Sequence, residues 1–414
     1  MLKQIGILLV ATAMSVVVVW GQDYRKEVNQ DETKVPAYVL PELLVDNDGK
    51  AVTTKKQWKE KRRQEVMTLF KEYVYGYLPD AKVDASYKIL EQSDKALDGK
   101  ATRKQIEITW MGNGTSRKAL LLMYLPNAKK KSPVFVNFNF LGNATLSADP
   151  DVIPSQYSRQ GIAYQKRRWP LHKIIDAGYG VATLHYYDIY FDEKGNVERS
   201  ILPLLGINSE ADMKPNSGRA IAVWAWGYSR VLDYLLTDKQ VDGKRVVCMG
   251  HSRLGKTALW AGAQDDRFAI VISNNSGCGG AALSRRAYGE TVNIINHTFP
   301  WWFCDNFKQY NKNEAKIPVD QHELLALAAP RPLYVASAVE DQWADPKGEF
   351  LSASLVEGVY HLFGYKGLKT DKMPSINQPI GDRVAYHIRS GVHDVTDYDW
   401  ENYIRFANRW LYKK

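Results

Sequence analysis

Short apolar runs, bounded by Gly, Pro and Asn, alternate with helical patterns from Ala101 to the end of the chain. Several of these runs are apolar on both faces, which is typical of parallel strands covered by helices. The predicted strands are 105–110, 119–125, 134–140, 179–187, 245–250, 269–274, 332–338 and 385–389. The predicted helices lie near 170–177, 217–236, 255–264, 322–328, 346–363 and 398–412. This alternation predicts an α/β fold, with a doubly wound, mostly parallel sheet between two layers of helices, as in a three-layer sandwich.

The chain before Ala101 is more polar and carries one clear helical pattern, from Lys55 to Tyr77, with apolar side chains at helix spacing. No internal repeat and no low-complexity linker divides the sequence. We therefore expect residues 22–100 to form an N-terminal extension that packs on a larger domain, residues 101–414.

Residues 1–21 have the pattern of a secretory signal peptide. Lys3 precedes an apolar run from Ile5 to Trp20, and a glycine then precedes polar Gln22. An uncleaved membrane anchor is the alternative, but the run is short for a bilayer span. We expect cleavage, export to the periplasm or beyond, and no membrane association of the mature form.

The composition excludes a disordered chain and a small disulfide-stapled protein, since 45% of the 414 residues are hydrophobic and 24% are charged. The three cysteines, Cys248, Cys278 and Cys304, allow at most one disulfide and match no zinc spacing. We expect no metal and no cofactor.

The net charge is +9, from 55 Lys and Arg against 46 Asp and Glu. The basic residues are scattered and accompany no nucleic-acid motif, so nucleic acid is not an expected partner. An acidic polysaccharide fits an exported basic protein better. We expect the protein to be a monomer.

The strongest chemical pattern is the turn after the predicted strand 245–250, where His251-Ser252-Arg253-Leu254-Gly255 leads directly into a helical pattern. A sharp strand-to-helix turn lifts a serine hydroxyl clear of the sheet and aims backbone N–H groups at the same point. Ser252 is therefore a candidate nucleophile. The alternative is a serine that only caps the helix.

A serine nucleophile needs an imidazole base, and the order Ser, acid, His places that base downstream. His393 lies in the loop between the last predicted strand and the final helix, which is the expected position. His387 alternates within the strand and His361 lies on a helix, so both are interpreted as structural, and His322 lies at a helix start.

The acid is expected after the preceding strand, in the loop 339–345. Asp341 is the first choice, and Glu340 and Asp345 remain alternatives. Each of the three could instead be an ordinary solvated loop charge.

With these motifs the chain resembles the bacterial glucuronoyl esterases of carbohydrate esterase family 15. Gly250-His-Ser-Arg-Leu-Gly-Lys256 is similar to the family's G-C-S-R-x-G-K turn. The segment 320–338, DQHELLALAAPRPLYVASA, is similar to the stretch that bacterial members carry before the acid loop, and a Glu-Asp-x-Trp loop follows it at 340–343. The resemblance covers roughly residues 100–414.

The resemblance implies an α/β-hydrolase fold without metal. It also implies hydrolysis, through an acyl-enzyme, of the ester that joins 4-O-methyl-glucuronic acid on xylan to lignin alcohols. By position, Ser252 matches the nucleophile, His393 the base and Asp341 the acid. The remaining matches are Arg253 for oxyanion stabilisation, Lys256 for sugar hydroxyls, and Trp343 and Glu290 for the uronate pocket.

The sequence departs from the family pattern at two positions. His251 replaces the usual Cys beside the nucleophile, which we expect to be tolerated because that side chain points away from the substrate. Asn275 stands where many members have a Glu; an amide can orient a histidine but cannot stabilise an imidazolium as a carboxylate does.

Two other functions remain open. One is an acetyl xylan esterase with the same triad. The other is a weakly active carbohydrate-binding protein on an esterase scaffold, which Asn275 and the tryptophans Trp301, Trp302 and Trp343 suggest, because indole rings stack on sugars. The glycine-containing loop 139–143 is a second candidate source of oxyanion donors, or a simple turn.

Overall fold

The computed structural model describes residues 24–158 and 160–412. The predicted signal peptide, residues 1–21, lies outside the described residues. Within the described residues, one mixed sheet has ten strands in the order β1-β2-β3-β5-β4-β6-β7-β8-β10-β9. The strands are β1 Asp84–Lys95, β2 Ala101–Gly112, β3 Thr115–Pro126, β4 Ser132–Val136, β5 Gly180–Thr183, β6 Val241–His251, β7 Ile270–Asn274, β8 Leu333–Ala338, β9 Ile380–Gly381 and β10 Val384–Arg389.

The six strands from β5 through β4, β6, β7 and β8 to β10 pair in parallel, whereas β1, β2, β3 and β9 join antiparallel. The helices are α1 Lys55–Gln57, α2 Arg63–Phe70, α3 Ala96–Gly99, α4 Leu171–Asp176, α5 Ala220–Leu235, α6 Arg253–Gln264, α7 Val292–Thr298, α8 Gln321–Ala326, α9 Pro346–Leu355, α10 Glu357–Leu362 and α11 Asp397–Leu411. The predicted mostly parallel sheet flanked by helices is confirmed.

Two hydrophobic clusters fill the two faces of the sheet. The larger contains Trp224 of α5 and Trp260 of α6, and the smaller contains Trp400 of α11, all fully buried. Because β6, β7, β8 and β10 run parallel to one another, the loops that follow them all emerge at one edge of the sheet.

The structure differs from the predicted elements mainly in the N-terminal part. Strand β1 was not predicted, because its side chains are mostly exposed at the sheet edge and the alternation of Ala85, Tyr87 and Ile89 is short and ends at an irregularity before Glu91. The pattern predicted at 55–77 is helical from Lys55 to Tyr75, with π-helical turns at Trp58–Arg62 and Lys71–Tyr75.

The N-terminal segment contacts the rest of the molecule closely. Trp58 is fully buried, and the Arg62 guanidinium donates to the Glu323 carboxylate of α8 at 2.6 Å. Strand β1 also continues the main sheet through β2. The division into an extension, residues 22–100, and a domain, residues 101–414, stays a prediction.

All three cysteines are buried and free. Across residues 24–158 and 160–412, every helix falls short of the length and apolar character that a membrane span requires.

Candidate active site

The turn between β6 and α6 holds Ser252 in a left-handed backbone conformation, with φ 57° and ψ −130°. A non-glycine residue keeps such a conformation only where its surroundings enforce it, and this strain is frequent at active sites. Gly250 makes the turn possible, because a Cβ there would collide with the carbonyl group of Leu254. The Ser252 N–H donates to the Asn274 carbonyl at 2.9 Å, which ties the turn to the end of β7. This is the geometry of a nucleophile elbow.

Ser252 occupies the N-cap position of α6, yet in the described structure its hydroxyl makes no capping hydrogen bond. The interpretation of Ser252 as a helix cap therefore lacks the contact that defines a cap. The side chain is half-buried, so it is accessible from the sheet edge.

His393 and Asp341 are brought together by the adjacent parallel strands β10 and β8. His393 Nδ1 lies 2.6 Å from Asp341 Oδ2, and the imidazole is 38% exposed while the carboxylate is 4% exposed. Burial alone would raise the pKa of Asp341, but the hydrogen bond and charge of His393 hold that pKa below its ordinary value. With Nδ1–H donating to the carboxylate, Nε2 is left as the proton acceptor.

Asn275, in the loop after β7, contacts the acid and not the base. Its Nδ2 donates to Asp341 Oδ2 at 2.7 Å, and this is the same oxygen that accepts from His393. Asn275 therefore contacts the carboxylate of Asp341 directly, and His393 only through that carboxylate.

His251, the residue before Ser252, contacts the imidazole of the His393–Asp341 pair. The ring centroids of His251 and His393 lie 4.5 Å apart, which places the imidazole of His393 against the residue that precedes Ser252. His251 Nδ1 lies 2.6 Å from Asn274 Oδ1, and burial lowers the pKa of His251 well below its ordinary value. The His251 ring is neutral and only 3% exposed, so it forms part of the buried packing beside the site.

The other two acid candidates lie apart from His393. Glu340 is exposed, while Asp345 accepts from Arg286 Nε at 2.8 Å and from the Gly348 N–H at 2.9 Å, where it caps α9. Of these three carboxylates, the structure brings Asp341 to the imidazole.

The loop that carries His393 is held by a buried arginine at the end of β10. Arg389 donates to the carbonyl oxygens of Ser390, Val392 and Asp394 at 3.0, 3.1 and 2.6 Å. Its Nε donates to Asp399 of α11 at 2.8 Å. His387, as expected, is structural, since its Nε2 lies 2.9 Å from the same Asp399 carboxylate.

Arg253, the first residue of α6, has a guanidinium ion-paired with Asp192. The Arg253 Cζ lies 4.6 Å from the centroid of the Trp302 ring and 5.3 Å from that of Phe299. Burial works to lower the pKa of Arg253, but the charge of Asp192 raises it, so the group stays charged. A fixed guanidinium beside the elbow is suited to a developing oxyanion.

Lys256, Glu290 and Trp343 form one cluster. Lys256 Nζ lies 3.6 Å from Glu290 Oε2, and both side chains are buried. Burial raises the pKa of Glu290, while Lys256 and a hydrogen bond with the Trp343 side chain oppose that rise. The Glu290 N–H also donates to the Trp343 carbonyl at 2.8 Å. The residue that the family pattern assigns to sugar hydroxyls, Lys256, and the two that it assigns to the uronate pocket are thus neighbours in space.

Trp301 and Trp302 both bind the same buried carboxylate through their indole nitrogens. Both indole N–H groups donate to Asp192 Oδ1, at 2.9 and 2.6 Å, and Trp302 is 3% exposed and stacks on Phe299. Asp192 was missed by sequence reasoning. The available signal was a carboxylate in an aromatic segment, Tyr186-Tyr-Asp-Ile-Tyr-Phe-Asp192, that follows a strand at the active edge of the sheet.

The loop 139–143 is an ordered turn. The Gly142 N–H donates to Asn139 Oδ1 at 2.7 Å, and the Asn143 N–H donates to Ser155 Oγ at 3.0 Å. The Phe140 ring lies edge-on to His251, at 6.1 Å between centroids, so the loop borders the elbow. Within the described part of the chain, no three His, Cys, Asp or Glu side chains are grouped so that they could hold a metal ion.

Comparisons with known proteins show which families and structures the chain is similar to. A family model described as glucuronyl esterase of fungi matches residues 213–364. A carbohydrate esterase from an unknown prokaryotic organism is 46% identical over 402 residues, which cover 92% of this chain and 91% of that relative. The glucuronoyl esterase of Solibacter usitatus superposes with a TM-score of 0.86 at 46% identity, covering 91% of this chain and 99% of the other. A promiscuous family 15 esterase from a marine bacterial metagenome has the same TM-score at 43% identity, with 92% and 100% covered.

The chain belongs to carbohydrate esterase family 15. The resemblance stated from the sequence motifs is thereby confirmed, and so is the α/β-hydrolase fold that it implies. Similarity to the bacterial members of family 15 covers nearly the whole chain, and so includes most of the polar N-terminal segment.

Proposed function

We propose that this protein is a serine carboxylic ester hydrolase that cleaves esters of glucuronic acid and 4-O-methyl-glucuronic acid, as in the lignin–carbohydrate linkages of glucuronoxylan. The strongest support for a serine hydrolase is the strained turn at Ser252, which lies beside the His393–Asp341 pair and is followed directly by the charged Arg253. The family membership supports the uronate ester as substrate. A 4-O-methyl-glucuronoyl methylesterase of Podospora anserina is 29% identical over 72% of this chain and 54% of its own length.

In the proposed cycle, His393 Nε2 removes the proton of Ser252 as Oγ attacks the ester carbonyl. Asp341 stabilises the resulting imidazolium through Nδ1 and keeps the ring in the required tautomer. His393 then protonates the departing alcohol, and a water molecule repeats the two steps on the acyl-enzyme. This second round releases the uronic acid and regenerates the free serine.

The oxyanion would receive hydrogen bonds from the Arg253 backbone N–H and guanidinium, which are fixed before the reaction begins. Preorganised donors of this kind each lower the barrier by about 3 kcal/mol. Lys256, Glu290 and Trp343 would bind the hydroxyls and ring of the uronate, because they offer a cation, a carboxylate and an indole in one cluster.

We also propose that residues 1–21 direct export and are removed, that residues 101–414 form the catalytic domain, and that the mature form is a monomer that works in the periplasm or outside the cell on a polysaccharide. The chemistry assigned to the site uses no metal and no cofactor.

The decisive experiment compares wild type and Ser252→Ala on benzyl glucuronate and on acetylated xylan. We expect rapid release of benzyl alcohol by the wild type, slow release of acetate, and no turnover by the variant. Equal rates for the two proteins would refute the serine mechanism. Fast acetate release with an intact uronate ester would identify an acetyl xylan esterase, and glucuronoxylan binding without turnover would identify a binding protein.

A further inference from the structure

Each cation around the elbow faces a buried carboxylate. Arg253 is paired with Asp192, and Lys256 with Glu290, and the side chains of the two carboxylates are 2% and 6% exposed. The imidazole of His393 is paired with Asp341 in the same way. Positive charge at the candidate site is therefore compensated within the protein.

Asp192 is the most strongly held of the three carboxylates. Its Oδ1 accepts from the indole N–H groups of Trp301 and Trp302, while its Oδ2 accepts from the Tyr186 hydroxyl at 3.0 Å and from Arg253 Nη1. Four donors converge on two oxygens, so the carboxylate is held in one orientation. The carboxylate can neither rotate away from Arg253 nor exchange it for solvent without breaking several hydrogen bonds.

The proposed reaction changes the charge of the bound sugar. The substrate is a neutral ester, whereas the acid product is an anion with its carboxylate beside the groups that held the ester carbonyl. A lone buried guanidinium binds a carboxylate much more tightly than an ester, because a charged hydrogen bond is added. A guanidinium already paired with Asp192 offers the product carboxylate far less.

We propose that Asp192 is a specificity-determining residue, which neutralises and orients Arg253 so that the site favours the uronate ester over the free uronate and releases its product. This inference rests on the proposed function. The oxyanion would still receive hydrogen bonds from Arg253, because Asp192 and the ring of Trp302 hold the guanidinium in place beside the elbow.

The test uses Asp192→Asn and compares the KM for methyl glucuronate with the inhibition constant of free glucuronate. We expect the ratio of inhibition constant to KM to fall at least about tenfold, because the released guanidinium binds the anion more strongly. Trp301→Phe is a matched control, since it removes one donor from the same carboxylate without a change of charge. Asp238→Asn is a second control, because it removes the same single negative charge from another buried ion pair, in which Lys104 Nζ lies 2.6 Å from Asp238 Oδ2.

Neither control should move the ratio. An unchanged ratio in Asp192→Asn, or an equal fall in Asp238→Asn, would overturn the proposal. Failure of the proposed function is a separate result, since the wild type would then not hydrolyse the ester at all. If Asp192→Asn does not fold, the wild type gives a second test: inhibition by glucuronate should weaken less than about threefold between 50 mM and 500 mM NaCl. A steep dependence on salt would reveal an uncompensated cation and refute the inference.

Discussion

Replacing Asp341 by asparagine tests the proposed triad most sharply, because the structure determines which way the new amide will face. Two donors, His393 Nδ1 and Asn275 Nδ2, converge on Asp341 Oδ2 at 2.6 and 2.7 Å. In the Asp341→Asn variant the amide oxygen will take the position of Oδ2, since an NH2 group there would meet two donors. The variant thus keeps the tautomer of His393 and loses only the negative charge.

The size of the effect follows from the charge that is lost. Opposite charges about 4 Å apart interact by roughly 4 kcal/mol at an effective dielectric constant of about 20. Because the imidazole is 38% exposed, solvent screening reduces this to about 3 kcal/mol, which is on the order of a hundredfold in kcat. An amide that forced the wrong tautomer would instead cost about 10⁴-fold.

The assay is the steady-state hydrolysis of benzyl glucuronate, followed for Asp341→Asn, Asp341→Ala and the exposed control Glu340→Gln. We expect losses in kcat of about 10² for the first and about 10⁴ for the second, and almost none for the third. Adding Asn275→Ala to Asp341→Asn should deepen the loss, because the amide is then free to flip. Equal losses in Asp341→Asn and Asp341→Ala would refute the reasoning.

Three further predictions concern the support of the site. Gly250→Ala should destabilise the protein by several kcal/mol and abolish turnover, as measured by thermal unfolding and benzyl glucuronate hydrolysis, because its Cβ collides with the Leu254 carbonyl. Arg389→Lys should lower kcat more than about tenfold with little change in KM, since an ammonium has three N–H donors in place of the guanidinium fork that reaches three carbonyls of the His393 loop and the Asp399 carboxylate. Glu349 of α9 is fully buried, and its carboxylate accepts from the Ser276 and Gly277 N–H groups in the loop after β7, at 2.7 and 3.0 Å. Because burial raises the pKa of Glu349 to about 7, Glu349→Gln should flatten the pH dependence of unfolding.

The sign of the Glu349 effect follows from linkage. The folded-state pKa lies above the ordinary value of 4.5, so the stabilisation is complete below about pH 4.5 and is lost as pH rises through about 7. Wild type should lose on the order of 2 kcal/mol of unfolding free energy across this window, and the glutamine variant should not. Parallel curves for the two proteins would contradict this.

The control for Arg389→Lys is Arg383→Lys, directly before β10. A retained wild-type kcat in Arg389→Lys would contradict the role of Arg389.

The sequence predicted the central strands because they are buried on both faces, and it predicted the elbow because strand, turn and helix are contiguous. Strand β1 was not predicted because its edge position leaves its side chains mostly exposed. Asp192 and Arg389 were missed for another reason. Their partners, Arg253 and Asp399, are distant in sequence or lie on another element, so local spacing carries no trace of the contact. The roles of Ser252, His393 and Asp341 stay predictions until they are tested by substitution.

The contact between Asn275 and Asp341 has a consequence for the reading of related sequences. The carboxyl ends of β7 and β8 are so close that a carboxylate on either loop can reach the neighbourhood of one imidazole. A carboxylate at position 275 would therefore lie beside Asp341, so the two neighbouring loops offer alternative places for the counter-ion of one imidazole. An alignment column that shows an amide at 275 is thus no sign of an inactive enzyme, because the loop after the neighbouring strand can supply the negative charge instead.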